Sequence, residues 1–280
     1  MTSIQRLAGV ALAGVLAIVL SACGGSEPPA EGPSNAPSAG NEKLRIGISF
    51  DQPGLGLKDG TTYSGFDVDT AIYVARALGV TKENITWVEA RPADREKLIT
   101  SGQTDLVLST YTITEERRQL VDFAGPYFLA HQDLLIRRND EDITGPETLE
   151  GRKLCSVTGT TSAARVKDQY RGTINLVEYP KFSDCVVALA DGKVDVVSTD
   201  DVILAGFAAV EPYKGDLRVL GKGFSDEYYG VGIKKGDTEM VQKVNAALKE
   251  YIADGSWKKA LATTVGPSGY RIPAPPTPGS

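Results

Sequence analysis

Short apolar runs alternate with helical patterns along most of the chain. Leu44–Ile48, Ile85–Val88, Leu106–Leu108, Lys153–Val157, Ile174–Val177 and Val194–Val197 have strand length and are rich in Leu, Ile and Val. Between the first two, Phe66–Leu78 places Val68, Ala71, Ile72, Ala75 and Leu78 at helical spacing and stops at Gly79. Pro92–Thr100 predicts a short helix, with Pro92 suited to a first turn. Ser162–Tyr170 and Asp184–Ala190 predict two more. Thr238–Ile252 carries an apolar stripe of Met240, Val241, Val244, Leu248 and Ile252. That stripe reads as core. Strand–helix alternation of this kind predicts an α/β fold with a mostly parallel sheet.

One pattern occurs twice. Gly102-Gln-Thr-Asp105-Leu-Val-Leu-Ser109-Thr110 is echoed by Gly192-Lys-Val-Asp195-Val-Val-Ser198-Thr199. Each has a glycine helix stop, an aspartate, a short apolar strand and then Ser-Thr. The echo suggests two lobes built alike. Ligands of open α/β sheets sit outside the carboxyl ends of the strands. Thr110 and Thr112 of one lobe would then face Thr199 and Asp200 of the other. The chain is expected to cross between lobes near Gln132–Ile136 and to return near Tyr228–Ile233.

The ends lie outside this pattern. Arg6 precedes the apolar run Leu7–Leu20, which is short for a transmembrane helix and fits a signal peptide over residues 1–22. The ending Leu20-Ser21-Ala22-Cys23 resembles a lipobox, with Cys23 lipidated; a plain signal peptide is the alternative. Residues 23–42 are Gly, Ser, Pro, Ala and Glu-rich and read as a disordered tether, and 271–280 as a disordered tail. Loss of Arg6 with the signal peptide moves the net charge from −6 to −7. No basic run stands out, which argues against nucleic-acid binding. With Cys23 lipidated, Cys155 and Cys185 remain; a disulfide suits an exported chain, and two buried thiols are the alternative. A single histidine, His131, leaves no metal-ligand cluster.

The stretch Asp105–Phe128 carries most of the chemistry. After its strand come Ser109, Thr110, Thr112 and Thr114, with Thr114 suited to cap a helix and Arg117 in the first turn. An arginine there can grip a carboxylate with two hydrogen bonds, or pair with a nearby Glu on a solvated face. Thr158-Gly159-Thr160-Thr161-Ser162 opens a later helix, whose free N–H groups favour anions; an ordinary N-cap explains the same residues. Asp200 ends an apolar strand, and Asp201 suits the next helix start.

Thr114-Glu-Glu-Arg117 followed by Val121-Asp122-Phe123-Ala-Gly-Pro126-Tyr127 resembles the central signature of the polar amino-acid solute-binding proteins of ABC importers, solute-binding protein family 3. The similarity runs from about Leu44 to about Gly266, and within the family it is greatest to glutamate/aspartate binders of actinobacterial type. The resemblance implies a type II periplasmic-binding-protein fold, with two lobes, a central cleft and a two-segment hinge. Residues 43–132 and 230–270 would form one lobe and 133–229 the other. It implies a monomeric, non-enzymatic protein without cofactor or metal. Such a protein closes on free L-glutamate, or aspartate, and delivers it to a membrane permease. It would sit on the outer face of the cytoplasmic membrane, lipid-anchored at Cys23. Arg117, Thr112, Thr110 and Thr161 would take the α-carboxylate, Asp200 the α-ammonium and Arg95 the side-chain carboxylate. Lys58 is a second cation, and Phe66 and Tyr111 are candidate walls. Arg95 also suits a surface pair with a Glu three or four residues away. The chain departs from some relatives at Ser49, where they carry an acid, and from glutamine binders at Val157, where they carry Lys. A sensor signalling to a membrane kinase, and a dehydratase-like enzyme on the same fold, are the alternatives. The chain has no G-x-S-x-G and no P-loop to favour the enzyme.

Overall fold

A computed structural model describes residues 43–279. The signal peptide, the Cys23 lipidation site and the tether, read from the sequence, lie outside the described residues. The first strand, β1 (Leu44–Ile48), leads to a small three-stranded meander, β2 (Asp51–Gln52), β3 (Gly56–Asp59) and β4 (Thr62–Ser64), and then to helix α1 (Phe66–Ala77). Next come β5 (Ile85–Glu89), α2 (Arg95–Thr100), β6 (Leu106–Val107), α3 (Glu115–Leu120) and the long β7 (Val121–Ala130). The chain then builds β8 (Gln132–Arg137), β9 (Lys153–Val157), α4 (Thr161–Gln169), β10 (Asn175–Tyr179) and α5 (Phe182–Ala190). It continues through β11 (Val196–Asp200), α6 (Asp201–Ala208) and β12 (Leu217–Val219). It closes with β13 (Glu227–Lys234), α7 (Thr238–Ala253) and α8 (Ser256–Thr264).

These strands form two five-stranded sheets, in the orders β5-β1-β6-β13-β7 and β10-β9-β11-β8-β12. Each sheet is the floor of one lobe. The first three strands of each run parallel, and most of their Leu, Ile and Val are buried because helices cover both faces; Val88 of β5 and Leu176 and Val177 of β10, at the sheet edges, are only partly buried. The expectation of a mostly parallel sheet needs correction at the crossings. β13 runs antiparallel to β6 and β7, and β8 antiparallel to β11 and β12. A chain that enters a sheet directly from the other lobe, without a crossover helix, arrives antiparallel. The chain passes between lobes at His131, between β7 and β8, and again between β12 and β13.

Packing explains the helices. Phe66, Val68, Ala71, Val74 and Ala75 of α1 are buried, with the Phe66 ring 5.6 Å from Phe128 and 6.3 Å from Trp257 of α8. In α7 the fully buried set is Val244, Ala247, Leu248 and Tyr251, while Met240, Val241 and Ile252 pack at its margin. Residues 271–279 correct a second expectation. They form no helix or strand, yet Pro278 is buried and the Gly279 N–H donates to Gly125 O at 2.7 Å. Prolines fix the backbone in advance, so an extended segment settles on a surface at little entropic cost. Cys155 of β9 and Cys185 of α5 form a disulfide, with 5.6 Å between their Cα atoms.

Candidate functional site

The turn after β6 carries the first lobe's share of the site. Thr110 adopts φ 43°, a left-handed backbone rare for a branched residue. Buried partners hold it there. Its N–H donates to Asp67 Oδ2 at 2.9 Å, and the Gln52 amide donates to Thr110 Oγ1 at 3.2 Å. Asp67 also accepts the Tyr127 hydroxyl at 2.7 Å. Burial pushes the Asp67 carboxyl up to about 7, against those hydrogen bonds and the charge of Arg95.

Arg95, at the head of α2, is 2% exposed. Its Nε donates to Pro92 O at 3.2 Å, and its Nη1 to Ser109 O at 3.0 Å and Thr110 O at 3.2 Å. Its Nη2 reaches Gly159 O, across the cleft, at 3.3 Å. All four are backbone carbonyls, so the surface pairing with Glu does not occur. Burial and the neighbouring Arg117 charge lower its pKa to about 10. Arg117 is 9% exposed. Thr114 caps its helix, accepting the Arg117 N–H at 3.2 Å. The guanidinium donates to Thr112 O at 2.6 Å and to the same Gly159 O at 3.0 Å, with Glu96 at 3.4 Å from Nε. Both guanidiniums stack on the Tyr111 ring, 4.4 and 5.0 Å from its centroid.

The facing lobe offers the start of α4 and the end of β11. Thr160, rather than Thr161 or Ser162, caps α4, accepting the Ala163 N–H at 3.0 Å. Thr161 Oγ1 donates to Glu227 Oε2 at 2.8 Å, and Ser162 Oγ is buried without a hydrogen-bond partner among the described residues. Asp200 is 4% exposed and accepts the Tyr229 hydroxyl. Burial, and then the Glu227 charge, push its carboxyl up to about 8. Asp201 faces elsewhere: it accepts the His131 N–H at 3.1 Å and the Tyr270 hydroxyl at 3.0 Å.

These groups enclose a cavity lined by Arg95, Thr110, Thr112, Arg117, Thr161 and Asp200, with Thr160, Ser162 and Thr199 beside them. Pro92, Phe182 and Ile203 form its apolar wall. The side chains nearly fill it, leaving a cavity of about 10 Å³. Three candidates stand outside it. Lys58 is exposed, with its ammonium 5.0 Å from the Phe50 ring centroid. Phe66 is core, because it opens α1 on the inner face. Tyr111 lies behind the two arginines, donating to Glu96 at 2.7 Å. The apolar wall had no signal in the sequence, since Phe182 and Ile203 repeat at the spacing of core residues. Glu227 was also missed. A lone Glu at the start of a strand resembles a surface residue, yet it is 1% exposed and bonded to Thr161 and Arg165. Among the described residues no group of His, Cys, Asp and Glu is arranged to hold a metal.

Two α/β lobes, joined by two crossing segments and meeting on a polar cavity, define a two-lobed binding protein of type II periplasmic fold. The chain belongs to the bacterial extracellular solute-binding proteins, family 3, whose model matches residues 44–266. It is 43% identical to a glutamate-binding protein, GluB, of Corynebacterium efficiens, over 93% of this chain and 91% of the relative. It is 31% identical to the ABC transporter glutamine-binding protein GlnH of Bacillus subtilis, over 90% and 94%. Among solved structures, an ancestral arginine-binding protein bound to arginine superposes with a TM-score of 0.74 at 31% identity, covering 80% of this chain and 98% of that one. The chain is thus an extracellular solute-binding protein of the family 3 type, and not an enzyme.

Proposed function

We propose that the chain is the substrate-binding subunit of an ABC importer, tethered by a lipid on Cys23, and that it captures L-glutamate, with L-aspartate the alternative. One observation carries this reading: two buried guanidiniums converge on a single backbone carbonyl, Gly159 O. Like charges buried together are costly; Glu96, 3.4 Å from Arg117 Nε, offsets one of them in part, and a carbonyl offers only a partial charge. A ligand with two carboxylates answers both. Arg117 and the N-terminus of α4 at Thr161 take the α-carboxylate, where the helix dipole adds to the attraction. Thr110 and Thr112 flank it. Arg95 takes the side-chain carboxylate, and Asp200 takes the ammonium. A ligand that contacts both lobes favours the closed arrangement, which the permease then receives. The resemblance to a glutamate-binding relative supports the acidic choice.

Isothermal titration with glutamate, aspartate and glutamine tests it. The expected result is tight binding of one or both acids and weak binding of glutamine. Glutamine bound as tightly as glutamate removes the role given to Arg95. Arg117→Ala leaves a carboxylate unpaired in a desolvated cleft, a loss of about 3–5 kcal/mol. That is about two to four decades in affinity. A loss below about tenfold overturns the assignment of Arg117.

A further inference from the structure

Helix α5 has no capping side chain of its own among the described residues. Its N-cap position is Lys181, which makes no side-chain cap. The acceptor comes instead from the other lobe. Asp51, in β2 of the meander, accepts both the backbone N–H and the Oγ–H of Ser183 on one oxygen, Oδ2, each at 3.1 Å. Ser183 is the second residue of α5, where a capping oxygen normally binds. The other oxygen of Asp51 is held by Ser49 Oγ at 2.9 Å, which aims the carboxylate. A negative charge at a helix N-terminus is favourable as well as hydrogen-bonded. Beside this contact, Lys181 Nζ lies 3.0 Å from Glu89 Oε1, a second link between the lobes, but half-exposed and so weak. Asp51 does not line the cavity.

We propose that Asp51 is a closure latch: it caps α5 across the cleft, and so sets the affinity for every ligand without touching any. The proposal rests on the closure reading above. When the lobes part, Asp51 and the Ser183 amide separate and each turns to water. The latch therefore enters the closing equilibrium, and that equilibrium scales every ligand's affinity by the same factor.

The test measures glutamate and aspartate binding by titration calorimetry in the unmodified protein and in Asp51→Ala, Asp51→Asn, Ser183→Ala and the Asp51→Ala/Ser183→Ala double variant. Asp51→Ala should weaken both ligands equally, by about tenfold, the worth of a charge-assisted hydrogen bond. Asp51→Asn, which keeps an acceptor, should recover part of the loss. Ser183→Ala should cost less, because its N–H remains, and should add little in the double variant. Unequal losses for the two ligands, or losses under twofold for both, overturn the latch. If the unmodified protein binds neither amino acid, the acidic reading fails by itself. The latch is then judged by amide exchange without ligand. A Ser183 amide at least tenfold slower in the unmodified protein than in Asp51→Ala sustains it, and equal rates overturn it.

Discussion

Arg95 and Arg117 place two guanidiniums against one tyrosine ring, and Asp200 places a buried carboxyl on the opposite wall. Asp200 has a sharp consequence for pH. Its carboxyl rises from an ordinary 3.8 to about 8 in the folded chain, chiefly through burial. Between those values the folded chain holds a proton that the unfolded chain has released. Its contribution to stability is therefore full below about pH 4 and is lost as the pH climbs through about 8. The ligand-free protein should melt higher at pH 5 than at pH 8, and Asp200→Asn should narrow that difference. Thermal melts at the two pH values check it, and an unchanged difference counts against a buried, protonated Asp200. At this scale the sequence was informative where residue type and position carry chemistry together. Thr110, Thr112, Arg117, Thr161 and Asp200 all line the cavity because strand ends and helix starts bring backbone donors and charges to one place. Lys58, on β3, lies outside the cavity and over the Phe50 ring, and an isolated lysine in the sequence does not tell the two placements apart.

The loop after β9 approaches the loop after β5 closely. Gly159 has φ 85°, and a Cβ placed on it would lie 2.7 Å from Ala93 Cα on the other lobe. Two separate penalties follow for Gly159→Ala. The left-handed backbone costs about 1–2 kcal/mol whether the lobes are open or closed, and it should appear as a lower melting temperature. The clash costs a further ~1–3 kcal/mol only on closing, and it should appear as a loss of roughly tenfold to a hundredfold in amino-acid affinity. Titration and melting of the same variant separate the two; unchanged affinity would mean that binding does not require this approach. The parallel strands were legible because strands covered on both faces are continuous apolar runs. β7 was not, since Gly125-Pro126 interrupts it with two residues that normally end strands. The partner strand β13 absorbs that interruption as a register shift between Tyr229 and Val231.

The molecule as a whole is two lobes sharing one chain, and its stability should depend on the link between Cys155 and Cys185. Closing a loop of that span, a sequence separation of 30, stabilises by about 3.5 kcal/mol in the chain-entropy account. Cys155→Ser/Cys185→Ser should lower the melting temperature by about 10 °C in a chain of this size, while reductant should leave the double variant unmoved. The two-lobe plan was visible in the echo of Gly102–Thr110 by Gly192–Thr199, because each lobe repeats the same helix stop, strand and hydroxyl pair. The docking of Gly279 on Gly125 of the first lobe was not visible, because a proline-rich tail has the same composition free or docked.

The position of β13 has one more consequence. It lies between β6 and β7 in the first sheet, yet it follows them only after the whole of the second sheet has been made. The second lobe is continuous in sequence from Gln132 to Val219, so every pairing of its sheet closes within that one span. The first lobe must wait for a strand from near the chain's end. A polypeptide that emerges from its N-terminus is therefore expected to fold its later half first. Until β13 arrives, the edge of β6 stays open in the earlier half, the point at which a stalled or truncated chain is most exposed to aggregation.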